Sequence, residues 1–108
     1  MLNRKLVLEA AERISDGAGG FVETWSARGT HWAELRPGTG NESRGVLTAL
    51  SRVPYRITVR ATPPGADSRP RPEQRFREGT RVFHILAVTE RDPGGRYLTC
   101  HAEEEVVG

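Results

Sequence analysis

The sequence predicts an all-β protein: a small antiparallel β-barrel with one long loop after the second strand region and a place for one short helical turn. Three observations carry that expectation. Residues 54–60 alternate apolar and polar side chains at the two-residue period of a half-buried strand. Clusters of glycine, proline and aspartate punctuate several further strand-like runs at regular spacing. The 108 residues include 12 glycines and 7 prolines, with 36% hydrophobic residues, which suits short strands and turns better than a helical bundle. At this length one domain spanning 1–108 is expected, and it buries roughly two-thirds of the surface of the unfolded chain.

Leu6, Val7 and Leu8 start a first short strand, and the more polar residues 9–15 suit a brief helical turn. Asp16-Gly17-Ala18-Gly19-Gly20 is a turn, since glycine adopts positive φ at little cost. Residues 21–35 are rich in Val, Thr, Trp and Phe and read as a long strand or a hairpin, with Arg28-Gly29 as a tight turn or a bulge. Within it Trp32 and Glu34 face one side, and His31, Ala33 and Leu35 the other. Pro37, Gly38, Gly40 and Gly45 then break the pattern, so residues 36–53 form a long loop in which residues 46–50 fit one helical turn or a strand-like arm. Loops of this length tend to be functional or disordered.

The next strand places Tyr55, Ile57 and Val59 inward and Arg56, Thr58 and Arg60 outward. Residues 62–74 are a Pro-rich, mobile surface loop. A short run from Arg75 turns at Gly79 into residues 81–90, where Val82, Phe83, Ile85, Leu86, Ala87 and Val88 predict burial on both faces. Asp92-Pro93-Gly94-Gly95 is a hairpin turn. Residues 96–103 return as the last strand, and 103–108 form an acidic tail.

Several chemistries are disfavoured by the same residues. Cys100 is the single cysteine, so neither an intrachain disulfide nor a multi-thiolate zinc site is available. The stretch Gly38–Gly45 has no Lys and no firm helix after it, unlike a phosphate-binding loop. A Cys100 nucleophile would need His31, His84 or His101 as its base. His101 is the adjacent residue and faces the other side of a strand, so Cys100 between Leu98 and Ala102 reads as a small core residue. The three histidines offer no chelating spacing, and no metal, cofactor or enzymatic activity is expected. The N-terminal stretch lacks the apolar core of a signal peptide and no window approaches a membrane span, so no membrane partner is expected. The net charge is only +2, although 15 of the 16 basic residues are Arg. The alternative to a structural protein is a free-standing small β-barrel that binds nucleic acid, which would want exposed aromatics among its arginines.

The order of the pieces is more specific than any one of them. The turn DGAGG, Trp25, HWAELRP (31–37), Glu42, YRITVR (55–60), GTRVFHILAVTERD (79–92) and RYLTCHAEE (96–104) follow one another in a set that resembles the head-closure, or head–tail joining, family of tailed bacteriophages. It is similar, too, to the stopper of phage-like gene transfer agents. The resemblance covers the chain from about Leu6 to Glu104. It implies a homo-oligomeric ring in the neck of a virion or phage-like particle, made in the bacterial cytoplasm. The neighbours it implies are a head–tail adaptor ring on the portal side and tail terminator or tail tube proteins on the other. By the same resemblance, residues 36–53 face the channel and touch packaged double-stranded DNA without sequence preference, with Arg36, Asn41, Glu42, Arg44 and Arg52 as candidates. Where relatives often carry a longer polar or aromatic helical turn, this chain has Ser43-Arg44-Gly45-Val46-Leu47. Heterologous ring interfaces need two different faces of one barrel, and Arg60, Arg69, Arg71, Glu103, Glu104 and Glu105 are the candidate ring contacts.

Overall fold

The computed structural model describes residues 1–38 and 50–107. Six strands follow in order, β1 (Arg4–Ser15), β2 (Phe21–Pro37), β3 (Leu50–Arg60), β4 (Arg75–Glu78), β5 (Arg81–Glu90) and β6 (Tyr97–Val107). All neighbours are antiparallel, and the spatial order β1-β2-β3-β6-β5-β4 closes on itself through the β4–β1 ladder. Closure leaves the barrel wall without an exposed sheet edge. Every strand sends side chains inward. Leu6, Leu8, Ala33, Ile57, Val59, Phe76, Phe83, Ile85, Leu98, Cys100 and Ala102 form one cluster with at most 2% exposure each.

Three turns do what their residues dictate. Asp16 accepts hydrogen bonds from the Ala18 and Gly20 amides at 2.8 and 3.0 Å, while Gly17 and Gly19 take positive φ. Those bonds hold the Asp16 carboxyl below its ordinary pKa. At the β5–β6 hairpin the Gly95 amide reaches the Asp92 carbonyl at 2.9 Å, and the Asp92 carboxylate accepts from the Arg96 and Tyr97 amides. Gly79 and Thr80 join β4 to β5 in a two-residue turn.

Other elements depart from the sequence pattern, each for a physical reason. Residues 9–15 are not helical. They continue β1 opposite β2 as far as the Ser15–Phe21 pair, and beyond Glu9, the last residue paired with β4, the stretch is two-stranded with no core to impose an alternation. Residues 21–37 are one strand, and Arg28 is the extra residue of a bulge, since Leu8 pairs with Gly29 and Glu9 with Ala27. Burial on both faces of β5 fails at a second bulge. Ile85 pairs with Ala102 and Ala87 with His101, which pushes Leu86 out to 56% exposure. β6 runs through residues 103–107, where an acidic tail was expected, because Glu104 is held inside by Arg81 and Arg52 reaches both Glu103 and Glu105. β2 and β3 also take in both ends of the expected long loop. The helical turn expected at 46–50 lies outside the described residues, except Leu50, which opens β3.

The Pro-rich segment is fastened down, against the expectation of mobility. The Arg69 guanidinium donates to the Thr62 carbonyl at 2.7 Å, the Ser68 carbonyl meets His31 Nε2 at 2.6 Å, and Pro70 is buried. Gly29 permits this close approach. It has φ +151°, and a Cβ there would lie 2.9 Å from Ser68 Cβ. Gly29→Ala is therefore expected to destabilise the fold by about 1–3 kcal/mol through backbone strain and the displaced loop. The urea midpoint would report it, and an unchanged midpoint would show that the loop yields freely.

Candidate assembly surfaces

The barrel's inward side is filled and its polar chemistry is turned outward or locked in ion pairs. Glu9, 6% exposed, accepts from Arg75 Nε and Arg77 Nε, both at 2.8 Å. Burial pushes the Glu9 pKa up, but the Arg77 and Arg75 hydrogen bonds outweigh it and hold the carboxyl below the ordinary range. Arg81 grips Glu104 through two bonds of 2.7 and 3.0 Å, and Arg4 grips Glu78 at 2.6 and 2.7 Å. The hydrogen bond to Glu104 is the main cause that raises the Arg81 pKa. These clasps were not legible in the sequence, because they join residues far apart in the chain that only the strand register brings together.

On the outer side, strands β2, β3, β5 and β6 form a groove of about 360 Å³. Thr58, Thr89 and Thr99 line it with Arg36, Arg56, Arg91 and His101. Glu34 belongs to the same lining, yet its carboxylate is engaged by the N-terminal ammonium and by Arg36 at 3.4 Å. The hydrogen bond from the terminal ammonium is the largest cause lowering its pKa. Glu90 lines the groove too, so three guanidiniums stand against two carboxylates, a small cationic surplus that suits an anionic partner.

The expected channel residues divide between two settings. Arg36 is exposed at the end of β2, and Arg52 pairs with Glu103 at 3.8 Å and Glu105 at 3.4 Å. Asn41, Glu42 and Arg44 lie outside the described residues. The expected ring contacts lie in different local settings. Arg60 sits over the Tyr97 ring at 5.7 Å, and Arg71 is exposed. Arg69 donates to the Thr62 carbonyl and Glu104 accepts from Arg81 within the subunit.

Cys100 is fully buried, and burial raises its thiol pKa to about 12. His101 and His84 are placed on the opposite, outer side of their strands, across from Ala87 and Glu103. A protonated thiol with no base beside it is a packing group. Cys100→Ser should leave the protein's assembly intact and lower stability by about 1–3 kcal/mol through a buried hydroxyl without a partner. In the native wild type, a thiol reagent should react with Cys100 only after unfolding; fast labelling of the folded chain would contradict this placement. Among the described residues no group of three or more His, Cys, Asp or Glu side chains could hold a metal ion.

The described residues thus form a filled, closed barrel whose charged groups lie on its outer faces or in ion-pair clasps. The chain belongs to the phage head completion protein family, whose model matches residues 1–105. A chain from the virion of a native gene transfer agent particle is 58% identical, with a TM-score of 0.85 over 100% of this chain and 98% of that one. Protein SF1141 from Shigella flexneri 2a shares the fold at 18% identity, with a TM-score of 0.63 over 95% of this chain and 92% of its own. No curated protein matches. The resemblance carried by the ordered motifs is thus the right one.

Proposed function

We propose that this chain is a head-closure subunit of a phage or phage-like particle, forming a ring between the portal-side adaptor and the tail. The observation that carries this reading is the 58% identity, over essentially the full length of both chains, to a component of a native gene transfer agent virion. Membership of the head completion family supports the same place in the particle. The work is mechanical, not catalytic: one barrel presents different faces to different neighbours, and residues 36–53 reach toward the channel. DNA contact there is electrostatic and independent of sequence, through Arg36 and Arg44. A few phosphate contacts give a shallow salt dependence, about 0.9 per phosphate neutralised.

Cryo-electron imaging of the neck of particles that carry this chain tests the placement; density for this barrel anywhere other than the head–tail junction would end the proposal. A mutational test addresses the channel. Arg36→Glu combined with Arg44→Glu should alter DNA retention or release by assembled particles while the isolated chain keeps its melting temperature. In the isolated chain, duplex binding should be weak, and sub-micromolar affinity at physiological salt would favour a dedicated nucleic-acid binder instead.

A further inference from the structure

Resting on the ring reading above, the structure also indicates how the copies hold one another. Beyond the barrel wall β1 and β2 continue as a two-stranded arm, from the Ala10–Ser26 pair to the Ser15–Phe21 pair. β4 pairs with β1 only as far as Glu9, and β3 meets β2 only from Ala33 onward. Among the described residues the arm therefore has no third strand. Such a ribbon is marginal by itself in water, and no proline or lysine blunts its free edges. Its tip nevertheless exposes Ile14, Phe21 and Val22 at 52%, 61% and 51%. Ile14 and Val22 are a cross-strand pair, so they form one apolar step on one face. The arm carries Glu12, Asp16 and Glu23 against Arg13. Glu12 is paired with Arg28 at 3.0 Å and Asp16 with its own turn amides, so among the described residues Glu23 is the carboxylate left for a partner.

The complementary surface is the groove on the outer face. Arg56 and Arg91 line it, and among the described residues neither has an acidic side chain within ion-pair distance. Leu86, extruded by its bulge, is exposed beside Ala87, whose cross-strand partner His101 belongs to the same lining. Within one copy the arm and the groove lie at opposite ends of β2. They can meet only between copies, in a head-to-tail contact of the kind that closes rings. We infer that the β1–β2 arm of one copy docks on the outer face of the next, its Ile14–Val22 pair beside Leu86 and Glu23 against Arg56 and Arg91.

The test uses particles whose only source of this chain is the double variant Val22→Cys with Leu86→Cys. Mild oxidation should convert it to a ladder of covalent multimers on a non-reducing gel, while either single variant stays monomeric. Two results overturn the inference: a double variant that stays monomeric, or Val22→Cys trapping a different neck protein, in a neck that still holds several copies of this chain. A neck holding one copy would overturn the ring itself, which the copy number in the image shows separately. If the cysteine pair prevents assembly, charge reversal decides. Arg56→Glu with Arg91→Glu should cut incorporation into particles by about tenfold, and Glu23→Arg should restore it. Unchanged incorporation, or no rescue with both variants folded, would overturn the inference.

Discussion

Phe76→Ala is expected to lower the free energy of unfolding by about 3–5 kcal/mol, a large part of the 5–15 kcal/mol typical of a domain. Phe76 is fully buried and packs edge-on against His31 with ring centroids 5.8 Å apart. It sits on β4, the four-residue strand that closes the barrel by pairing with both β1 and β5. The cavity would therefore open where the wall is thinnest in paired residues. Phe21→Ala is the control, since Phe21 is 61% exposed on the arm, and it should cost less than about 0.5 kcal/mol in the isolated chain. Equal effects of the two substitutions, measured by chemical denaturation, would contradict the assigned core.

The second large effect is expected at Glu9. Glu9→Gln leaves Arg75 and Arg77 without their shared counter-charge. Breaking a buried pair costs about 3–5 kcal/mol; here about 2–3 is expected, because Arg77 is 40% exposed and rehydrates. The pH dependence has a definite sign. The folded-state pKa of Glu9 lies below its ordinary value, so its contribution is complete above pH 4.5 and is lost as pH falls through the folded value. His31 acts in the same direction at higher pH. Burial lowers its pKa, against the opposing hydrogen bond to Ser68, so the neutral ring is favoured and stability declines as pH falls below 6.5. Acid should thus weaken the wild type in two stages. His31→Gln should flatten the first and Glu9→Gln the second. A wild-type stability that stays level from pH 7 to 5 would refute the His31 assignment, and one that stays level on further acidification through the carboxylate range would refute that of Glu9.

Local chemistry was legible wherever a buried face or a turn imposed it. Ile57 and Val59 alternate because one side of β3 is core, and Asp92 and Gly95 specify their turn by hydrogen bonding and positive φ. Cys100 was placed correctly from its neighbours Leu98 and Ala102. The arm at residues 10–15 was not legible as strand, since a ribbon outside the barrel has no inner face to enforce a period. Glu103, Glu104 and Glu105 read as a tail because glutamates are poor strand formers. The β3 ladder holds them in strand conformation, and Arg52 and Arg81 offset their charge, contacts that exist only after folding. The bulge that ejects Leu86 is likewise a register event, invisible to a count of apolar residues.

The unequal lengths of the ladders bear on how the subunit carries force. The chain between β2 and β3 is anchored at the end of one strand and the start of the other, so a tug on it is delivered along both strand axes. On one side the load falls on the β3–β6 ladder with eleven residue pairs, and on the other on β1–β2 with twelve. Pulled lengthwise, each resists in shear, with many bonds strained at once. The β1–β4 seam, with only three pairs, is not in that path. A subunit tethered through the chain between these two strands should therefore be stiff to axial tension and open first when pulled at β4, an ordering that single-molecule stretching from the two attachment points would reveal as a high and a low rupture force.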